Sequence, residues 1–263
     1  MSATSAAGAR AGKLTPATGL YTVPPFWVSL VEWLAVTLGI YRKVFAQAGV
    51  LAAKNWPVLG SIFVYGAVMA VTAALAGFAG IFGGLLLSVV WAACAGSFLY
   101  LVEMIVRTSR VTLADFQRSF GAYLWDVVGI SFVFWVFFTL ATPALLQVPQ
   151  GHLILLFVQL AALVVFNAVP ELIYLGHAGS LALLSESYAF IGANWIEWFP
   201  ANVLAGAILF LVASLPVGGV GVYVKAALFG LLIYFVMVMR GLLFLELHGS
   251  THRSRAFKHR MRA

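Results

Sequence analysis

The sequence predicts an all-α, polytopic membrane helical bundle: six transmembrane helices arranged as three hairpins, each preceded by an amphipathic helix at the cytoplasmic interface. Three observations predict it. Of 263 residues, 63% are hydrophobic and 9% charged, with a mean hydropathy of +1.03, whereas a soluble domain carries about 25% charged residues. Apolar runs lie at 57–80, 83–106, 127–147, 153–175, 197–217 and 219–245, and about 20 helical residues suffice to cross a ~30 Å hydrocarbon layer. Trp56, Trp125 and Trp195 stand 69 and 70 residues apart, each closing an amphipathic stretch and opening an apolar one, which points to one unit used three times. The runs are uniformly apolar rather than alternating, which disfavours a β-barrel, and helices satisfy their own backbone in lipid.

Residues 1–23 are rich in small and polar residues, with Arg10 and Lys13 but no compact apolar core. They read as a disordered tail rather than a signal peptide. The six-span region covers 24–247, with repeats at 24–107, 112–176 and 180–247, and a basic tail fills 248–263. In the first unit, Ser29 and Glu32 follow Pro24-Pro25 as a helix start. The apolar part, 26–40, is short for a span and contains Glu32, so it is expected at the interface; a seventh span with the N-terminus outside is the alternative. The second unit opens on Thr112 and Asp115, the spacing of a capping box, with Leu113, Phe116, Phe120, Tyr123 and Leu124 on one stripe and Asp115, Arg118 and Ser119 opposite. In the third, Leu181, Leu184, Tyr188, Ile191 and Trp195 share a stripe at 100° per residue, as in a helix lying in the interface. Asn55-Trp56 and Asn194-Trp195 match as dipeptides, and Gly83-Gly84, Pro149 to Gly151, and Gly218-Gly219 supply the turns. Evenly sized hairpins of independent origin would also give this pattern.

Charge orients the bundle. Arg42, Lys43 and Lys54 precede the first span, Arg107, Arg110 and Arg118 follow the second, and the tail follows the sixth, while the three turns lack Lys and Arg. The positive-inside bias then places both termini in the cytoplasm. The connection after span four, with His177, Glu186 and Glu197 and no Lys or Arg, is neutral on this point.

A candidate intramembrane polar cluster comes from the same counting. Glu103, Glu171 and Arg240 lie 47, 46 and 45 residues after their tryptophans, near the cytoplasmic ends of even-numbered spans. Either they are ordinary boundary residues that snorkel, or they meet at one depth with Arg240 between two carboxylates. Span four adds a row at multiples of four, Gln159, Asn167 and Glu171, with Leu163 in the gap and Pro170 loosening the helix beside Glu171. Such a row forms either interhelical hydrogen bonds or a substrate or ion path. Lys225 is placed to snorkel outward.

Searches for catalytic chemistry find no metal-protease, nucleophile-elbow or phosphate-loop motif, and no cofactor site. Cys94 stands alone, so no disulfide forms within the chain. Glu246, His248, His252 and His259 cluster in sequence but are spaced poorly for a metal. Arg253, Arg255, Lys258, Arg260 and Arg262 form a tail without acids, suited either to anionic lipid headgroups or simply to keeping that end in the cytoplasm, rather than to nucleic acid.

The stretch Leu183-Leu184-Ser185-Glu186-Ser187-Tyr188 through Asn194-Trp195, after Pro170-Glu171, resembles the segment ending in an Asn-aromatic pair in YciC-like and glycerophosphodiesterase-membrane-domain-like bacterial proteins. Val111-Thr112-Leu113-Ala114-Asp115-Phe116 resembles their loop after the second span. The resemblance implies a multi-pass inner-membrane architecture and no catalytic residues. The expected function is a non-enzymatic accessory or organising component acting through lipid or membrane-protein partner contacts; the alternative is a small transporter or channel using the polar row of span four.

Overall fold

A computed structural model describes residues 26–176 and 179–250. The N-terminal stretch 1–23 and the basic residues 253–262 lie outside the described part. The described chain is helical without strands: α1 (Phe26–Lys54), α2 (Pro57–Ala76), α3 (Gly83–Thr108), α4 (Leu113–Ser119), α5 (Leu124–Leu146), α6 (Gly151–Val165), α7 (Val169–Leu175), α8 (Ser180–Ala213) and α9 (Val220–His248). Among the described residues seven stretches are long and apolar enough to cross a membrane, which makes this a multi-pass membrane protein. Six follow the apolar runs of the sequence. The seventh, Leu34–Lys54, belongs to α1, where the sequence suggested an interfacial helix.

Three antiparallel pairs, α2–α3, α5–α6 and α8–α9, turn at residues 77–82, 147–150 and 214–219. Two of these turns admit only glycine: a Cβ on Gly83 would lie 2.3 Å from the Ala76 carbonyl oxygen, and one on Gly151 would lie 1.8 Å from that of Leu145. Lys225 donates to the Ala213 and Leu215 carbonyls at 3.3 and 3.2 Å, so it caps the end of α8 instead of projecting freely.

The interior is concentrated at the opposite, basic end. Leu101, Val102 and Ile105 of α3, Leu172 and Tyr174 of α7, and Val238, Leu243 and Phe244 of α9 are all but inaccessible. Towards the turns the outward residues are bare and apolar, among them Val71, Leu75, Leu140, Phe157 and Phe210. A soluble protein does not present so continuous an apolar surface; lipid covers it here.

Three further elements differ from the sequence expectation. The helix expected over 112–125 stops at Ser119, because Phe120 is extended and Gly121 has φ +97°. Its Thr112–Asp115 capping box is present, but Ser119 faces inward onto the Ser97 hydroxyl at 2.5 Å. The α4 segment therefore folds back along α3, and a Cβ on Gly96 would lie 3.1 Å from the Tyr123 backbone. The start of α5 is thus seated about 20 Å along α3 from the Asn55–Trp56 junction, which binds Ser109 and Val111. Trp56, Trp125 and Trp195 are all exposed, at 70%, 77% and 57%, but Trp125 does not share the level of Trp56.

Second, the stretch 180–195 and the fifth expected span form one 34-residue helix, α8. Its protein-facing stripe is Leu183, Ser187, Phe190, Asn194 and Trp198, while Leu181, Tyr188 and Trp195 point outward. Third, the expected span 153–175 is interrupted at Phe166–Ala168, with Pro170 in the first turn of α7. Proline lacks the N–H that would continue the ladder.

Candidate functional site

The interruption between α6 and α7 builds the site. Breaking a helix in an apolar medium frees carbonyls that need other donors. The Ser187 hydroxyl donates to the Val165 carbonyl at 2.9 Å, and Arg240 Nη2 donates to the Asn167 carbonyl at 2.6 Å. Below the break, α7 carries Glu171 towards α9. Arg240 Nε and Nη2 grip the two carboxylate oxygens at 2.7 Å each, the paired geometry that a guanidinium fork favours. Glu171 is fully buried and the Arg240 side chain only 13% exposed.

The third helix of the clamp is α8. Trp198 is wholly buried, lies with its ring centroid 5.2 Å from the Arg240 guanidinium carbon, and donates its indole N–H to Asn167 Oδ1 at 2.9 Å. Cation–π stacking and a hydrogen bond to the interrupted segment thus meet in one side chain. On the other side, a Cβ on Gly241 would come within 2.7 Å of the Tyr174 hydroxyl and 2.9 Å of Val106, so α3, α7 and α9 touch closely there. The Tyr174 hydroxyl is buried without a hydrogen-bond partner among the described residues.

Of the five predicted cluster residues, Asn167, Glu171 and Arg240 come together. Glu103 does not join them. Arg107, one turn later on the same helix, takes its carboxylate at 2.9 Å, and the Tyr123 hydroxyl donates to its other oxygen. The placement of Arg240 between two carboxylates is therefore corrected to one carboxylate. Arg107 Nη2 also reaches the Tyr174 and Leu175 carbonyls at 3.4 Å each, closing the end of α7. Gln159 is exposed on α6. With Asn167 and Arg240 it lines a lateral groove of about 530 Å³, whose apolar walls include Phe134, Phe138 and Met237.

The tail residues Arg253, Arg255, Lys258, Arg260 and Arg262 lie outside the described part. Glu246 accepts from Lys43 at 2.6 Å, and His248 stacks on Phe244 with ring centroids 4.8 Å apart. Sequence reasoning missed Trp198, which has no polar row to announce it, and Tyr174, whose role comes from the glycine opposite. Outside the spans, hydrogen bonds from the Thr112 hydroxyl and backbone hold the Asp115 carboxyl below the usual carboxylate range.

No protein-family model, curated protein or solved structure matches this chain.

Proposed function

We propose that this protein is a non-enzymatic accessory or organising component of a bacterial inner membrane, working through lipid and membrane-protein contacts. One observation carries the reading. Arg240, Glu171, Asn167 and Trp198 bond chiefly to one another across α7, α8 and α9, which suits a tie between hairpins better than a path that must bind and release. The basic residues Lys54, Arg107 and Arg110 stand at the helix ends away from the turns, which supports a cytoplasmic position for that end.

The same proposal includes an interfacial α1 and a threefold repeat. The exposed residues of α1 near its end include Arg42, Lys43, Gln47 and Lys54 beside Ala46, Val50 and Ala53, and the four polar ones suit a headgroup layer better than lipid tails. The helix is held at the basic end by Glu197 on α8, by Glu246, Phe235 and Tyr234 along α9, and by Ser109 after α3. Asn55 and Asn194 each donate to the carbonyl four residues earlier, Leu51 at 2.9 Å and Phe190 at 3.1 Å, which supports the kinship of the first and third units. The YciC-like resemblance belongs to this proposal too.

The groove beside Gln159 favours a second reading, a small transporter or channel. Flux decides between them. Proteoliposomes holding the purified chain are expected to dissipate proton and potassium gradients no faster than empty vesicles. A flux that Gln159→Leu abolishes at unchanged melting temperature would replace the accessory reading with the transporter.

A further inference from the structure

A second groove, of about 540 Å³, opens between α2, α3 and α4. Its walls are apolar, with Val58 and Val64 on α2, Leu101 on α3 and Phe116 on α4. Its mouth is polar and held in place. Asn55 donates to the Leu51 and Ser109 carbonyls at 2.9 and 3.3 Å and accepts from the Val111 N–H at 2.9 Å, so the junction of α1 and α2 is stitched to the turn after α3. Lys54 lines this mouth, is exposed, and makes no hydrogen bond or ion pair with the described residues. Arg110, next to the lining residue Val111, is also exposed and without an ion pair among them. The nearby Asp115 carboxylate is occupied by Thr112. From Pro57 to Val64 the groove follows α2 for about 10 Å at 1.5 Å per residue.

We infer that this groove is a binding site for an anionic phospholipid, with the headgroup phosphate on Lys54 and the upper acyl chains between Val58, Val64 and Phe116. The inference rests on the lipid-contact reading of function and deepens it. Charge complementarity selects the occupant: an unspent ammonium at the water-facing end of an apolar groove matches a lipid whose headgroup carries a net negative charge. A rigid mouth lowers the ordering cost of binding. The neighbouring Trp56, 70% exposed, is of the type that favours the headgroup level.

Native mass spectrometry of the full, delipidated chain, titrated separately with phosphatidylglycerol and phosphatidylcholine, tests this. The wild type should prefer phosphatidylglycerol about fivefold, the ratio that a single favourable cation contributes. Lys54→Glu should abolish that preference. Gly60→Phe should weaken both lipids, because Gly60 lines the groove and nothing stands within 4 Å of its Cβ position. If Lys54→Glu does not fold, Lys54→Gln carries the same test. A preference that survives the Lys54 and Gly60 changes alike would assign lipid binding to the basic tail, overturning the groove while leaving the lipid-contact function standing. Absence of any preference in the wild type also overturns the site, whereas the accessory reading itself fails only in the flux measurement.

Discussion

Arg240 and Arg107 each meet a glutamate within reach of α7, yet the two pairs do different work. Arg240 comes from α9, takes both oxygens of a fully buried Glu171 and adds the Asn167 carbonyl and the Trp198 ring. Arg107 shares α3 with Glu103, is 40% exposed, and reaches α7 only through two carbonyl contacts at 3.4 Å. Similar counting from a tryptophan therefore did not give Glu103 and Glu171 equivalent roles. An arginine four residues away on the same helix captures Glu103 before a distant helix can, whereas Glu171 has no such neighbour. The first pair ties helices together; the second trims a helix end.

The largest expected effect breaks the first pair. Removing one partner of a buried pair strands the other charge, at a cost of about 3–5 kcal/mol. Arg240→Ala and Glu171→Ala should each lower stability by that order in a detergent unfolding titration, and the double change should cost less than the sum. Arg240→Lys should recover only part, because an ammonium cannot grip both oxygens or stack on Trp198 as the planar guanidinium does. Additive losses would show that the two groups do not depend on each other.

The second pair sharpens the contrast. With Arg107 40% exposed, solvent screening limits its contribution, and Arg107→Ala should cost about 1 kcal/mol or less in the same titration. Glu103→Gln should cost little more, since its amide oxygen still accepts from Tyr123. A loss as large as that of Arg240→Ala would mean that Tyr174, which lies between the pairs, couples them into one network.

Where the chain announces its structure, it does so through periodicity and breakers. The apolar runs located the long apolar helices to within a few residues at most ends, Pro170 marked the interruption beside Glu171, and Thr112 with Asp115 marked the start of α4. The row at multiples of four singled out Asn167 and Glu171, but the break at Phe166–Ala168 takes Asn167 off that helical face, and it is its backbone carbonyl that Arg240 reaches. Gln159, further up that row, faces the groove instead. What escaped depends on nonlocal contact. Trp198 joins the clamp only because α8 runs on without a break past Trp195, and Ser119 turns inward only because Ser97 waits on α3. The span-length stretch Leu34–Lys54 of α1 was not legible because Arg42, Lys43 and Lys54 interrupt its hydropathy, while its buried stripe of Val44, Ala48, Leu51 and Ala52 packs on α9. The capture of Glu103, by contrast, was legible in its spacing to Arg107, which outweighed the longer-range count.

A third ion pair, Lys43–Glu246, sets the lower bound of the series. Its atoms are 2.6 Å apart, closer than either arginine contact, yet the side chains are 54% and 37% exposed. A short distance in water contributes little once side-chain ordering and screening are counted, commonly 0–1 kcal/mol. Lys43→Ala should therefore leave the unfolding midpoint nearly unchanged. What holds α1 on α9 is the stripe of Val44, Ala48, Leu51 and Ala52, with Ala48 wholly inaccessible. Ala48→Leu should cost about 1–3 kcal/mol by overpacking that contact. If Lys43→Ala proved the more damaging of the two, α1 would be held to α9 by charge, and burial would no longer explain why the arginine pairs differ.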